Sequence, residues 1–163
     1  NETHWETSIM LPAIDNQKVW AGLKLTNDQL VAADDDKAFF KFQTDATVSE
    51  AFTDFTLLHF VHSIGGTDYI SALPITVAAN TPYHLKITID SDRKASIFVN
   101  GIQYNVTTTS GSTGGTAVTT GTTPTAALTD DTDFIPYNGI EAGAGAAEAL
   151  NTHFVAMSRL VYE

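Results

Sequence analysis

The chain contains no cysteine, so no disulfide can staple the fold, and it has neither a thiolate nucleophile nor cysteine ligands for zinc. The redox compartment is thereby left open. Basic residues are scarce: 8 Lys and Arg stand against 19 Asp and Glu, for a formal charge of -11. Such a surface repels phosphate backbones and anionic headgroups, so no nucleic acid and no membrane is expected among its partners. No apolar run approaches the roughly 18 residues of a membrane span. The first residues lack the basic-then-apolar layout of a signal peptide, and without an initiator methionine Asn1 is expected to be a trimmed or processed end. The Gly-x-Ser-x-Gly turn of a nucleophile elbow is also missing.

What is present fits one domain, residues 1–163, with 43% hydrophobic and 17% charged residues. A chain of about 150 residues buries about 70% of the surface it exposes when unfolded, enough for a core without staples. Apolar residues alternate with polar ones. From Tyr83 to Asp90, Leu85, Ile87 and Ile89 fall on one face and His84, Lys86 and Thr88 on the other, the spacing of a half-buried strand. A polar turn, Ser91 to Lys94, leads into Ala95, Ile97 and Val99. Asn100-Gly101, a pair that tolerates positive φ, then reverses the chain before Ile102, Tyr104 and Val106. Similar runs occur at Trp5 to Leu11, Val19 to Leu25, Ala38 to Phe42, Phe55 to Ser63, Tyr69 to Val77 and His153 to Tyr162. About eight strands with almost no helix predict an all-β antiparallel sandwich or barrel. Asp45 to Asp54 and Gly143 to Leu150 are the places where a helical turn could form.

Residues 107–133 change character to Thr, Gly, Ser and Ala, with little that is large and apolar. They read as a long loop or arm inserted in the domain, because connections beyond about 15 residues are usually functional or mobile. Three roles stay open: a surface excursion, an arm ordered against a neighbouring subunit, and a ligand-contacting loop. Deleting Thr109 to Thr125 is expected to leave the sandwich folded but to weaken assembly.

The hairpin Tyr83 to Gly101, with its Tyr-x-Leu-x-Ile-x-Ile-Asp strand and closing Val-Asn-Gly, resembles the late strands of concanavalin A-like lectin/glucanase jelly rolls, laminin-G modules included. Val19 to Leu25, the acidic turn Ala33 to Asp36, Ala38 to Phe42 and the segment Ile140 to Tyr162 follow in the order of that sandwich. The arrangement is similar to jelly-roll domains of tailed-bacteriophage virion proteins of the capsid-decoration or fibre type. The resemblance implies a jelly roll; the fold hosts lectins, hydrolases and capsid proteins alike, so function rests on sites.

Glucanases of the resembled fold carry acid and nucleophile on alternate residues of one strand. The nearest imitation is Glu2, His4 and Glu6, where a histidine stands in the aspartate's place and the run is expected at a frayed N-terminal edge. Glu141 and Glu148 bracket a small-residue stretch and have no evident partner. Asp34, Asp35 and Asp36, and Asp130, Asp131 and Asp133, supply oxygens of the kind calcium takes, but without the spacing of a calcium loop they read as solvated acidic turns. His59 and His62, three apart on a strand, point to opposite faces and cannot share one zinc. Among Phe39, Phe40 and Phe42, two rings face inward and one outward, and Trp20 projects opposite Val19 and Ala21. The outward rings read as core or loop cover first, and as a sugar or partner platform second. Asn1 and Asn105 begin sequons that matter only in a secreted eukaryotic chain.

No catalytic, cofactor or metal site is therefore expected. The leading expectation is a non-enzymatic virion structural protein, a decoration or fibre component on the particle surface. Its expected partners are other virion proteins, capsid or fibre subunits, and further copies of itself in a homo-oligomer such as a trimer. The alternative is a lectin or adhesion module with a glycan partner; a glycoside hydrolase is a distant third.

Overall fold

The computed structural model describes residues 2–26, 35–44, 56–111, 115–129, 134–143 and 147–160. Among the described residues eleven strands follow in order: β1 (Glu2–Met10), β2 (Gln17–Lys24), β3 (Lys37–Gln43), β4 (Leu57–Ile64), β5 (Thr67–Thr76), β6 (Pro82–Ile89), β7 (Ala95–Val99), β8 (Ile102–Tyr104), β9 (Thr116–Ala117), β10 (Ile135–Ala142) and β11 (Asn151–Leu160). They form a five-stranded sheet, β11-β1-β6-β7-β8, and a six-stranded sheet, β10-β2-β3-β4-β5-β9. Every pair is antiparallel except the short parallel contact of β5 with β9. The chain passes between sheets from β1 to β2, from β5 to β6, and again around β9 to β11, as expected of a jelly-roll sandwich.

Alternation builds the core. Trp5 and Ile9 of β1, Leu85 and Ile87 of β6, and Ile97 and Val99 of β7 meet Val19, Leu23, Phe40, Phe42 and Phe60 of the other sheet, all buried. Apolar burial is worth about 25 cal/mol per Å², so this layer is the main force holding the sheets together. The hairpin predicted at Tyr83 to Gly101 is β6 and β7. Asp90 closes its turn by accepting from the Lys94 amide at 2.9 Å, with Arg93 at φ 61°. Asn100 and Gly101, at φ 50° and 81°, make the next turn with the positive-φ pair that a tight hairpin requires.

Three expectations change. The frayed N-terminal edge is not an edge: β1 is paired along its length with β11 on one side and β6 on the other. β10 was not anticipated as a whole strand, and of Gly143 to Leu150 the described residues contain no helix; Asp45 to Asp54 lies outside the described residues.

The Thr-rich stretch, for which three roles stood open, packs on its own molecule. Its described residues lie along the molecule's own β7–β8 side. Asn105 and Val106 amides donate to the Thr119 and Thr123 carbonyls, and the Thr125 and Leu128 amides donate to the Ala95 and Arg93 carbonyls, each at 2.9 Å. The Ala95 amide donates to Thr125 Oγ1 at 2.8 Å, and Arg93 Nε to the Leu128 carbonyl at 2.8 Å. These bonds give a short sheet edge the backbone partners it otherwise lacks. Leu128 drops into the core, 1% exposed. Leu128→Ala is therefore expected to lower the unfolding free energy by about 3 kcal/mol in urea titration, the usual cost of such a truncation. Deleting Thr109 to Thr125 removes several of these bonds and should lower the melting temperature too.

Candidate functional site

The sequence candidates separate on folding. Glu2, His4 and Glu6 do share a face, the outer side of β1, while Trp5, Thr7 and Ile9 point inward. Glu6 Oε2 lies 3.1 Å from His84 Nε2, both side chains about two-fifths exposed. A wet pair of this kind contributes little, so Glu6→Gln should shift stability by less than about 0.5 kcal/mol in the same titration. Glu141 is not partnerless, since its carboxylate meets the Lys18 ammonium at 2.9 Å; Glu148 lies in the coil before β11.

Folding brings the first acidic run against the segment leading to the second. Asp36 Oδ1 accepts from the Gly65 amide at 3.2 Å and from the Thr129 hydroxyl. Asp34, Asp130, Asp131 and Asp133 lie outside the described residues. Among the described residues, no group of three or more His, Asp or Glu could hold a metal ion. His59 and His62 do point to opposite faces of β4. His62 joins Phe60 on the core side, in a stack with Tyr69 at 4.8 Å, whereas His59 lies on the outer side beside Lys41 in register.

The outer face of the six-stranded sheet holds what hydropathy alone missed. The odd-even pattern of β2 and β3 puts Lys18, Trp20, Gly22 and Lys24 beside Gln43, Lys41, Phe39 and Lys37 in register. All of these side chains are buried, and Trp20, Phe39, Val61 and Ile70 form a second apolar cluster with Tyr137 packed on it. Half of the chain's basic residues thus sit on one covered face. Lys18 Nζ lies 4.9 Å from the Trp20 ring centre and Lys24 Nζ 4.2 Å from that of Tyr137, cation–π contacts that favour a buried ammonium. Lys37 pairs with Asp68 at 3.1 Å. The outward rings of Trp20 and Phe39 are thus covered, as core-like packing rather than an open sugar platform. A void between the sheets, lined by Val19, Ala21, Phe40 and Leu85 among others, measures about 20 Å³. That is room for about one water and no ligand.

The side of the sandwich at β10 and β11 is different. Asn138 Nδ2 donates to Thr7 Oγ1 at 3.0 Å, and Thr7 donates on to the Phe154 carbonyl at 2.6 Å, a polar bridge joining the two sheets. Beyond this bridge β11 is exposed at all ten residues. Phe154, Val155, Met157 and Leu160 are 39 to 49% exposed. Of the exposed large hydrophobics among the described residues, only Leu25 and Ile102 lie elsewhere. Sequence reading placed a strand here but not its exposure, because apolar content marks a strand without telling whether another layer covers it.

The fold and its surfaces define a two-sheet sandwich module with one covered sheet face and one bare apolar edge. No protein-family model matches the chain, and no curated protein matches it. Among solved structures it is similar to the mouse laminin α1 chain, domains LG4-5, at 15% identity and a TM-score of 0.38. That likeness covers 93% of this chain and 40% of the laminin chain, so this chain spans less than half of that one.

Proposed function

We propose that this protein is a non-enzymatic module that works by lying against other protein chains, with the β10–β11 side as its contact surface. One observation carries the reading: a ten-residue edge strand whose four large apolar side chains stand uncovered. Bare apolar strips rimmed by polar residues mark interaction surfaces, and long unpaired strand edges are templates for pairing. The setting that fits is a virus particle, where the chain would decorate the capsid or form part of a fibre. The sequence resemblance to phage jelly rolls, the acidic charge and the absence of cysteine support that setting. The test is co-sedimentation of the chain with particles that lack it. The wild type should travel with the particles, while Val155→Lys with Met157→Lys should stay behind by at least a tenfold loss of binding; a wild type that never sediments with particles removes the reading.

A second reading, glycan binding, is favoured by the outer sheet face next to that edge, which shares Phe154 with it. On the outer face of the five-stranded sheet the Phe154 and His84 rings lie 5.8 Å apart, and Lys86 Nζ lies 5.5 Å from the Phe98 ring centre. Such rings with polar neighbours can stack on a sugar. A glycan array with and without chelator tests it, and binding to no sugar counts against it.

A further inference from the structure

Among the described residues the two sheets have four outer strands, and three of them are blunted. β8 has 3 residues and β9 has 2, and the Thr-rich stretch lies along that side. β10 carries Pro136, which has no amide hydrogen to offer, and Glu141. β11 has no proline and a single formal charge, Arg159, and its one irregularity lies near its start, opposite Ser8 and Ile9. Over Phe154 to Leu160 it carries neither proline nor bulge nor carboxylate, so little keeps that stretch of edge from pairing.

We infer that the edge is covered by β11 of a second copy, running antiparallel across a two-fold axis, so that the two five-stranded sheets continue as one. The inference rests on the proposed use of this side for protein contacts and names the occupant. The pattern of the strand carries it. Its unbroken register runs from Phe154, opposite Ser8, to Leu160, opposite Glu2. Within that run Val155, Met157 and Arg159 share the inner side with Thr7, Trp5 and Thr3, while Phe154, Ala156, Ser158 and Leu160 share the outer side. A two-fold axis at Met157 keeps inner side on inner side. It sets Met157 against Met157 of the second copy, Phe154 against Leu160, and Val155 against the aliphatic stem of Arg159. All four exposed apolar residues then gain a neighbour, and no two like charges stand opposite each other. A foreign strand would have no reason to match a pattern that is complementary to itself about one residue.

Seven paired residues, Phe154 to Leu160, at about 3.3 Å each on a side about 18 Å deep with its side chains make about 400 Å² per copy, or about 800 Å² in all, the size of a weak pair that depends on protein concentration. The -11 charge of each copy opposes association at long range, and β11 itself bears no carboxylate. Pairing should accordingly tighten as salt screens the repulsion.

Sedimentation velocity of the full chain tests the inference, with a single-cysteine scan that the cysteine-free sequence permits. The wild type should sediment at twice 17.5 kDa, more completely at higher salt. Val155→Lys with Met157→Lys should sediment as a monomer that still unfolds cooperatively, with a melting temperature that no longer depends on protein concentration. On mild oxidation Met157→Cys should give a disulfide-linked pair, whereas Ser91→Cys, at the β6–β7 turn, should not. A wild type that stays monomeric at every concentration and salt overturns the inference, as does a pair that survives in the lysine variant. If a monomeric wild type still loses particle binding through the lysine substitutions, the second copy is wrong while the contact surface stands.

Discussion

Gly22→Ala is expected to destabilise the folded chain by about 3 kcal/mol, at the upper end of what overpacking costs. Gly22 lies opposite Phe39 at the centre of the β2–β3 pair. A Cβ built on it would come within 2.5 Å of the Ala38 carbonyl oxygen and of the Phe39 Cα. Both are backbone atoms of a strand hydrogen-bonded on each side, so neither can swing away as a flexible side chain would. The two central strands would have to part, loosening Phe40 and Phe42 in the core on one face and the Lys41–Trp20 layer on the other. Urea titration of purified wild type and variant checks this, and an unchanged midpoint would mean that the register or the close approach is wrong.

The second large effect is on acid stability. His62 is 1% exposed, stacked between Phe60 and Tyr69. Burial pulls its pKa down from 6.5 to about 4, while the nearby Asp68 carboxylate pulls weakly the other way. In the unfolded chain the same imidazole binds a proton at 6.5, so below that pH the unfolded state takes up protons the native state refuses. The contribution is therefore complete above 6.5 and drains away as pH falls from 6.5 to about 4, a loss of about 3 kcal/mol by the lower end. Asp68 also holds Lys37, so a change at Asp68 would confuse the result; His62→Phe removes the titration while keeping a ring in the stack. Unfolding free energies measured at neutral pH and near pH 4 should fall apart by about 3 kcal/mol less in His62→Phe than in wild type. Equal pH dependence would show that His62 is not the group that matters.

How much of this could be read from sequence depended on how local each signal was. The β6–β7 hairpin was legible because its alternation, its polar turn and Asn100-Gly101 are all contained in one short stretch. The same period-two rule put Phe40 and Phe42 on one face and Phe39 on the other, and separated His59 from His62. β10 was harder, since Pro136 and Gly139 interrupt its pattern and only Ile135, Tyr137 and Ile140 hint at a strand. The regular placing of lysines on β2 and β3 was visible, but a lysine on a strand ordinarily marks a solvated face, and its burial follows from tertiary packing. Nothing in hydropathy could reveal the Thr-rich stretch as a structural element, because hydrogen bonds and one deep leucine hold it rather than an apolar run. The bare edge was equally hidden. Which strand stands last in a sheet is decided by strand order, and a sequence lists strands without their neighbours.

The β10–β11 side is the proposed working surface. Amide hydrogen exchange, followed peptide by peptide in the free chain diluted until it is monomeric and in the chain assembled on the proposed particle, addresses that directly. Slowed exchange confined to residues 135–142 and 151–160 is the predicted result; unchanged exchange there, with new protection at the β6–β7 turn or along β8, would contradict it.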